Sequence, residues 1–329
     1  MTTRVRVGIA GTGSYVPERV VSNSWFEERI DTSNEWIVQR TGIERRRHAA
    51  EHEATSDLSI AAARRALEAA GTRPTDVDLI VVGTVSPDHH LPATSALVHK
   101  ALGAKRAAAF DVVAACTGFI AALKTAEAYV ASGQAKCALA IGAETLSRHV
   151  DFTDRTSCIL FGDGAGAAVV KPFEDCRQGE ILKSALGADG DGYDFIHMVA
   201  GGSRKPASHA SIDALEHAIR VQGREVYRFA VHQMTACIQE MMEGHSYDEL
   251  GLLVPHQVNR RIIDASLERL GWTDEKVVVN IQEYGNTSAA SVPIALDEAV
   301  RAGRAVRGKL VVLVAFGAGL TWGGTLIRW

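Results

Sequence analysis

The chain alternates short apolar runs with polar turns and longer segments of helical pattern. Between residues 110 and 133 the sequence reads FDVVAACTGFIAALKTAEAYVASG. This pattern predicts a short central strand, a tight turn that carries Cys116, and a helix that ends at Gly133. Only Lys124 and Glu127 are charged on this helix, so we expect protein to enclose it on most sides.

The same pattern occurs a second time between residues 278 and 303, VVNIQEYGNTSAASVPIALDEAVRAG. It predicts a strand, a polar turn and a helix of small residues that ends at Gly303. Cys116 and Asn286 each lie seventeen residues before the closing glycine. The repeat predicts two similar halves, residues 1–178 and 179–329, packed back to back with Cys116 and Asn286 facing each other.

Other segments follow the same rules. Further strands are predicted at 5–15, 79–85, 167–170, 181–186 and 252–254, and helices at 25–42, 56–70, 94–102, 222–242 and 259–270. Two glycine-rich stretches, 8–13 and 161–166, are similar to phosphate-binding loops, but no helix follows either of them. We therefore interpret both as structural turns. The glycine-rich and polar run 187–208 predicts a mobile loop or lid.

The composition narrows the class of protein. The 329 residues carry a formal net charge of −4, and a general nucleic-acid binder would show a basic surplus instead. No apolar run approaches the ~20 residues of a membrane span, and the amino terminus lacks the apolar core of a signal peptide. Five widely spaced cysteines without CxxC spacing indicate reduced thiols in the cytoplasm and no metal site.

Three polar residues follow predicted strands: Cys116, His256 and Asn286. The sites of open α/β sheets lie at the carboxyl ends of strands, so we expect these side chains to meet. A helix terminus beside Cys116 would lower the pKa of the thiol from ~8.5 to about 7, although an inert buried cysteine is the alternative. Cysteine with histidine indicates acyl transfer through a thioester. Papain-like proteases also use Cys, His and Asn, so these residue types leave the reaction open.

Six motifs occur in order along nearly the whole chain. They are NEWIVQRTGI at 34–43, AACTGF at 114–119, FGDGAG at 161–166, PHQVN at 255–259, YGNTSAAS at 284–291 and FGAGLTWG at 316–323. Together they resemble the β-ketoacyl-acyl carrier protein synthase III family of the thiolase superfamily. The resemblance implies a thiolase-like α/β fold, a duplicated αβαβα arrangement of five layers, and a homodimer.

The resemblance also implies a reaction, the decarboxylative condensation that initiates fatty acid synthesis. Cys116 would attack a short acyl-CoA, which is a substrate, so no cofactor is implied. The backbone N–H groups of Cys116 and Ala318 would hold the oxyanion. Malonyl-acyl carrier protein would then lose CO2, while His256 and Asn286 donate hydrogen bonds to the thioester oxygen where charge develops.

For coenzyme A, the resemblance places Trp36 against the adenine, with Arg155 on the other face of the adenine and Arg40 near the phosphates. Stacking of an aromatic ring and a guanidinium on a purine is chemically sound. One further position concerns the acyl pocket. Leu91 matches the residue that reaches across the dimer to close this pocket, and some family members have phenylalanine there.

Acyl carrier protein is acidic, so an acidic enzyme needs a local basic surface to receive it. Arg261 matches a family position for this contact. Arg228 recurs four residues after Arg224 and eight after Arg220, which predicts one basic stripe if the segment is helical. The alternative is an ordinary solvated face.

Other functions remain open at this point. A related Cys-His-Asn acyltransferase or condensing enzyme of secondary metabolism is the main alternative, and malonyl-dependent CO2 release distinguishes an acyltransferase from a condensing enzyme. A non-catalytic partner would not take up acyl label at Cys116, and a hydrolase would release free acid. The sequence does not define the length or branching of the acyl primer.

Overall fold

Thirteen strands and eleven α-helices form the chain between residues 5 and 329, the part described by this computed structural model. The strands are β1 Val7–Tyr15, β2 Val20–Ser22, β3 Arg45–Arg47, β4 Leu79–Gly83, β5 Ala108–Val112, β6 Ala138–Thr145, β7 Asp163–Pro172, β8 Glu180–Ala188, β9 Ile196–Met198, β10 Ile219–Val221, β11 Leu250–Pro255, β12 Leu310–Gly317 and β13 Thr321–Arg328. The helices are α1 Asn23–Glu27, α2 Asn34–Thr41, α3 Thr55–Ala69, α4 Thr94–Leu102, α5 Gly118–Ala131, α6 Phe173–Cys176, α7 His209–Asp213, α8 Gly223–Met241, α9 Arg260–Leu270, α10 Ile281–Tyr284 and α11 Ser291–Arg301.

The large sheet contains one strand arrangement twice. In the first copy, the order β1-β7-β6-β4-β5 has two antiparallel pairings followed by two parallel ones. In the second copy, β8-β13-β12-β11 repeats the antiparallel, antiparallel and parallel pairings. The ladder between β8 and β1 contains only the pair Gly8–Glu180. The topology is therefore duplicated, while the division of the chain at 178/179 stays a prediction.

Helices form three layers around the two copies of the sheet. The outer layers are α3 with α4 on the first copy and α8 with α9 on the second. The central layer is α5 with α11, and residues such as Leu123 and Leu296 in this layer are wholly buried in a core shared by both copies. The five-layer αβαβα prediction is confirmed, as is the enclosure of α5.

The two glycine-rich stretches form strands, so the predicted turns are wrong. Residues 8–13 lie within β1, and a Cβ added at Gly11 would lie 2.6 Å from the backbone nitrogen of Ala70, the residue that follows α3. In the second stretch, residues 163–166 form the start of β7, and a Cβ added at Gly166 would lie 2.6 Å from Pro293 Cβ. Glycine is needed at both positions because a helix lies directly on the strand.

The second copy lacks the strand predicted at residue 278. The segment makes only one parallel bridge, between Leu253 and Val277. The side chain of Gln257 takes the place of a strand partner: its Nε2 donates to the Val278 carbonyl at 3.0 Å, and its Oε1 accepts from the Asn280 N–H at 3.0 Å. The helix and the strand that follow are present as α11 and β12.

Three other predictions need correction. The strand before Cys116 is β5, which lies at the outer edge of the sheet rather than in its centre. The segment 25–42 forms two helices, α1 and α2; Ser33 caps α2, and Gly42 ends it as predicted. The run 187–208 includes the end of β8 and all of β9, which pairs antiparallel with β10. Part of the predicted lid is therefore regular structure.

Candidate active site

The polar residues predicted to lie at strand ends converge on one cavity of about 270 Å3, although Asn286 follows a helix. Cys116, His256, Asn286 and Ala318 all line this cavity, which is otherwise surrounded mainly by apolar side chains. They come from both copies of the repeated unit, since Cys116 follows β5 and the other three follow second-copy elements. The structure therefore brings together the residues that the sequence singled out.

Cys116 lies in a 3-10 turn, Ala115–Thr117, directly before α5. The preceding Ala115 has φ +46°, a left-handed conformation uncommon for residues with a side chain. Burial raises the pKa of the Cys116 thiol to about 12. The predicted fall toward 7 is wrong because removing the sulfur from water outweighs the helix terminus. The thiol is therefore protonated at neutral pH in the free protein.

His256 follows β11 and is fully buried. Its Nδ1 contacts Ser291 Oγ at 2.6 Å, and its Nε2 has no hydrogen-bond partner among the described residues. Its ring packs edge-to-face on Phe316, with ring centroids 5.5 Å apart. Burial lowers the pKa of His256 to about 3, so the imidazole is neutral.

Asn286 follows α10 and is held by backbone contacts to the first copy. Its N–H donates to the Leu160 carbonyl at 2.8 Å, and its carbonyl accepts from the Gly162 N–H at 3.0 Å. Its side-chain Oδ1 accepts from the Ser288 N–H at 2.8 Å. Because this bond fixes the oxygen, the Nδ2 group is the one left to donate into the cavity.

The turn that contains Ala318 lies against the turn that contains Cys116. A Cβ added at Gly317 would lie 2.8 Å from the Cys116 backbone nitrogen, so the two turns are in backbone contact. The Thr321 hydroxyl joins them: it contacts Thr117 Oγ1 at 2.7 Å and lies 3.1 Å from the Ala318 carbonyl. The turns that carry Cys116 and Ala318 are thereby held against each other.

Trp36, Arg40 and Arg155 form a cluster outside the cavity lining. The guanidinium carbons of Arg40 and Arg155 lie 5.8 and 5.4 Å from the centre of the Trp36 ring. Arg155 also donates to Asp31, at 2.8 Å to its carbonyl and 3.1 Å to its carboxylate. The cluster is joined to the cavity wall, since Asn259 Nδ2 donates to the Arg40 carbonyl at 3.0 Å.

The basic residues predicted to meet a carrier protein are arranged differently from the prediction. Arg220 lies on β10, before α8 begins, and forms an ion pair with Asp151, so the predicted helical stripe is reduced to Arg224 and Arg228 on α8. Arg228 lies on α8 and is paired with Glu225. Arg261 is exposed at the start of α9, with its guanidinium carbon 5.8 Å from the ring centre of Tyr227, which lines the cavity.

Leu91 does not reach the cavity of its own chain. It is 88% exposed and lies in the loop between β4 and α4. Val113, which directly follows the edge strand β5, is 81% exposed. Both are large apolar side chains left in water by this single chain.

Sequence reasoning missed the side chains that support the site. The Ser291 hydroxyl contacts His256, and the Ser288 backbone N–H donates to Asn286 while its hydroxyl donates to the fully buried Glu144. The signal for Glu144 was present, because a carboxylate stands near the end of the apolar run ALAIGAET. Within residues 5–329 no cluster of three or more His, Cys, Asp or Glu side chains is arranged to hold a metal ion. None of the helices in this range could cross a bilayer.

Known proteins resemble the chain along its whole length. Residues 110–190 match the 3-oxoacyl-(acyl-carrier-protein) synthase III family, and residues 241–329 match the C-terminal region of the same family. The β-ketoacyl-(acyl-carrier-protein) synthase III of Caldanaerobacter subterraneus is 49% identical over 331 residues, covering 100% of this chain and 99% of that relative. The corresponding protein of Symbiobacterium thermophilum is 51% identical, covering 98% of each chain.

Solved structures agree with these matches. The 3-oxoacyl-(acyl-carrier-protein) synthase III of Aquifex aeolicus superimposes with a TM-score of 0.90 at 45% identity, covering 98% of this chain and 100% of that one. The priming β-ketosynthase of the R1128 polyketide pathway gives a TM-score of 0.91 at 38% identity, covering 99% and 97%. The chain therefore belongs to the β-ketoacyl-acyl carrier protein synthase III family, and it is a condensing acyltransferase of fatty acid synthesis with a thiolase-like fold.

Proposed function

We propose that this chain joins a short acyl group from acyl-CoA to malonyl-acyl carrier protein, with Cys116, His256 and Asn286 as the reacting and charge-stabilising groups. The observation that carries the proposal is the convergence of these three side chains on one largely apolar cavity. A largely apolar cavity strengthens electrostatic interactions and limits hydrolysis of a thioester.

In the first step, the Cys116 sulfur attacks the thioester carbonyl of acyl-CoA. The new S–C bond forms, the bond to the CoA sulfur breaks, and CoA leaves. The negative charge on the carbonyl oxygen is taken by the N–H groups of Cys116 and Ala318. The Thr321 hydroxyl supports this role, since it holds the two turns together before substrate arrives.

In the second step, malonyl-acyl carrier protein loses CO2 and leaves an enolate. Nε2–H of His256 and Nδ2–H of Asn286 donate to the enolate oxygen. The contacts support both donors: a Ser291 hydroxyl that donates to Nδ1 leaves the ring proton on Nε2, and Ser288 holds the Asn286 oxygen away. The enolate carbon then attacks the acyl-Cys116 carbonyl and the thiolate of Cys116 leaves.

Coenzyme A is proposed to bind at the cluster of Trp36, Arg40 and Arg155. Arg155 lies over the Trp36 ring, and an adenine inserted between them needs a spacing of roughly 7 Å, twice the usual stacking distance. Binding therefore requires Arg155 to move away from the ring and give up its contact with Asp31, which is itself fully exposed. The carrier protein is proposed to dock at Arg261 and Arg228, since Arg261 lies over Tyr227 of the cavity lining and Arg228 is the next residue after Tyr227.

The test is mass spectrometry of the protein after incubation with a panel of acyl-CoAs, followed by addition of malonyl-acyl carrier protein. We expect one acyl group on Cys116, its loss when the malonyl substrate is added, and a β-ketoacyl product with one CO2 released. Cys116→Ala is the control and should carry no acyl group. An acyl adduct that is released as free acid, without CO2 from malonyl, would contradict the proposal.

A second candidate function is the priming of polyketide synthesis. The observation that favours it is the similarity to the R1128 priming ketosynthase, at 38% identity. It is the weaker candidate, because the synthase III relatives reach 49–51% identity. Product formation with malonyl groups on a fatty acid carrier protein and on a polyketide carrier protein distinguishes the two functions.

A homodimer in the cytoplasm is also proposed. The strand β5 has an unpaired edge among the described residues, and Val113, which directly follows β5, is an exposed apolar side chain, as is Leu91. An unpaired edge with apolar neighbours favours pairing with a second copy. All five cysteines lie in the described range and are free, which supports a reducing compartment. Light scattering on the purified protein tests the dimer, and a monomer at micromolar concentration would contradict it.

A further inference from the structure

Glu144 is a buried acidic group behind the wall of the cavity. It lies near the end of β6 with 0% of its surface exposed, and five donors surround its two carboxylate oxygens. These donors are Thr84 Oγ1 (3.1 Å), Val85 N (3.1 Å), Ser86 N (3.1 Å), Ser86 Oγ (2.6 Å) and Ser288 Oγ (3.1 Å). In the described part of the chain, no cation contributes to holding its charge. Burial therefore raises the pKa of Glu144 to about 7 despite these hydrogen bonds.

Ser288 connects Glu144 to the nucleophile. Its hydroxyl donates to the Glu144 carboxylate at 3.1 Å, and it is also the hydroxyl whose hydrogen bonding lowers the pKa of the Cys116 thiol against the effect of burial. A serine hydroxyl has only one proton, so when that proton is donated to Glu144, the serine oxygen accepts from the thiol. Ser288 has φ +47°, and such strain persists where surrounding contacts over-determine a residue, often at functional sites.

His256 is a poor base for the thiol. It has no acidic partner, and burial lowers the pKa of its ring to about 3. Its Nδ1 is occupied by Ser291, and the proposed role in condensation requires a proton on Nε2. The step that makes Cys116 nucleophilic therefore needs another proton acceptor, and Glu144 lies two hydrogen bonds away.

We propose that Ser288 and Glu144 form a proton relay that removes the thiol proton of Cys116 during acylation. This inference rests on the proposed function, since it assigns the base for the acylation step of that reaction. In the relay, Ser288 contacts the reacting sulfur and Glu144 acts through Ser288.

The relay balances as two linked proton transfers. The S–H proton of Cys116 moves to Ser288 Oγ while the O–H proton of Ser288 moves to Glu144 Oε1. The thiolate attacks the acyl-CoA carbonyl, the S–C bond forms, and the electron pair of the broken bond leaves on the CoA sulfur. The proton stored on Glu144 returns through Ser288 and is released to CoA, so Cys–SH and acyl-CoA give acyl-Cys and CoA–SH.

The charges of Cys116 and Glu144, the two ends of the relay, affect each other. The negative charge of Glu144 is one cause of the raised pKa of Cys116, so protonation of Glu144 removes a charge that opposes the thiolate. After transfer, Ser288 donates to the thiolate. The nearest acid on the adjacent strand, Asp163 of β7, accepts from Ser147 and Ala49 instead. Residues 84–86 after β4 contribute only neutral donors.

The experiment follows the rate of Cys116 modification from pH 5.5 to 9.5 in the wild type, Glu144→Gln and Ser288→Ala. One reagent is acetyl-CoA in a single turnover, read by mass spectrometry. The other is iodoacetamide, which needs the thiolate but no acyl-CoA. In the wild type, we expect both rates to rise with pH around pH 7, where Glu144 ionises. This rise is the limb of the pH–rate profile that the variants test. Both variants should lose this limb and react about 10²–10³ times more slowly at pH 7.5.

Three further comparisons separate a relay from a structural role. The double variant should be no slower than either single variant, because the two groups act as a unit. Glu144→Asp should retain the limb at an intermediate rate, and Thr84→Val, which removes a donor outside the relay, should also retain it. A single variant with the wild-type rate and limb, or a double variant that shows the product of both losses, would overturn the relay.

The two reagents also distinguish this inference from the proposed function. Wild-type protein that is alkylated with the expected limb but never acylated would contradict the proposed function and leave the thiol relay in place. Wild-type protein that is acylated, with variants that keep its pH profile, would contradict the relay alone. If Glu144→Gln does not fold, Ser288→Ala provides the same test because it removes only a hydroxyl.

Discussion

Single residues in the cavity have very different acid–base properties because their environments differ. Burial moves the pKa of Cys116 up to about 12 and that of His256 down to about 3, and it raises the pKa of Glu144 to about 7 against the opposing effect of its hydrogen bonds. Three titratable groups in one site thus favour a neutral thiol, a neutral imidazole and a carboxylate that exchanges its proton near neutral pH. This separation is what a reaction with both proton removal and enolate stabilisation requires.

The first prediction concerns Asn286. Replacement of Asn286 by Asp substitutes an acceptor for the donor and places negative charge beside the developing enolate. We expect acylation of Cys116 to stay close to the wild-type rate and malonyl decarboxylation to fall about 10²–10³-fold. Acyl label on Cys116 and release of labelled CO2 are the two measurements. Normal condensation by Asn286→Asp would contradict the donor role, and Asn286→Ala is the uncharged control.

The second prediction concerns the pH dependence of stability. His256 has a pKa of about 3 when folded and about 6.5 when unfolded, so the unfolded chain binds more protons between these values. The free energy of unfolding of the wild type should therefore fall as pH decreases from 6.5, by about 1.4 kcal/mol per pH unit relative to His256→Asn. Urea unfolding of both proteins at pH 7.5, 6.0 and 5.0 measures this difference. A constant difference would show that the histidine is not held neutral.

The sequence identified the three cavity residues, because strand-end polar residues and family motifs both mark them. It did not predict the pKa of Cys116, which depends on how much protein surrounds the sulfur after folding. Glu144 was missed for a related reason. Its partner Ser288 is far away in sequence, and only the packed structure brings the two within 3.1 Å.

Among the elements, strand β1 and helix α3 show how glycine sets a packing distance. Gly11 lies under the last turn of α3, and its missing side chain lets the two backbones touch. The local sequence pattern predicts a turn at these glycines, because glycine usually interrupts helices and strands. The helix that covers the strand begins some forty residues later, so its contact is invisible to a local pattern.

The third prediction follows from this contact. Gly11→Ala places a methyl group 2.6 Å from the Ala70 nitrogen, so the strand or the helix must shift. We expect a loss of about 1–3 kcal/mol in the free energy of unfolding. Gly202→Ala is the matched control, since an added Cβ there has open space around it. Equal denaturation midpoints for the two variants would contradict the close-packing argument.

The fourth prediction concerns helices α8 and α9, which both contribute residues to the cavity lining. Charge reversal at Arg261 or Arg228 should raise the KM for malonyl-acyl carrier protein and leave the KM for acyl-CoA unchanged. The effect should be larger at Arg261, because Arg228 is already paired with Glu225. Arg269→Glu, at the opposite end of α9, is the control for a change of net charge. Equal effects on both substrates would contradict carrier docking at this surface.

At the level of the whole molecule, the duplication could be predicted and its irregularities could not. The seventeen-residue spacing from Cys116 and Asn286 to their glycines indicated two copies, and the repeated order of strand pairings agrees with it. Where the fifth strand of the second copy is missing, the side-chain amide of Gln257 bonds the backbone of Val278 and Asn280 instead. The periodicity of apolar residues along the chain does not reveal that a side chain replaces a strand partner.

The fifth prediction concerns primer choice in the proposed dimer. Leu91 is 88% exposed and outside the cavity of its own chain, so it affects the acyl pocket only if a second copy receives it. Leucine leaves more room than phenylalanine, so the wild type should accept isobutyryl-CoA in competition with acetyl-CoA. Leu91→Phe should shift the ratio toward acetyl by roughly 10-fold or more. A strong acetyl preference in the wild type, or an unchanged ratio in the variant, would contradict this role.

The Thr321 hydroxyl contacts both the turn of Cys116 and the turn of Ala318, and these two turns come from different repeats of the chain. The site is therefore shared between the repeats, and this bears on how the enzyme evolved. On the proposed mechanism, the sulfur belongs to one repeat, whereas His256, Asn286 and the Ala318 amide belong to the other. A chain severed between the repeats would yield one fragment with the nucleophile and one with its helpers, each inert until they reassociate. Before the gene doubled, an ancestral enzyme of this kind could have worked only as a pair of identical subunits.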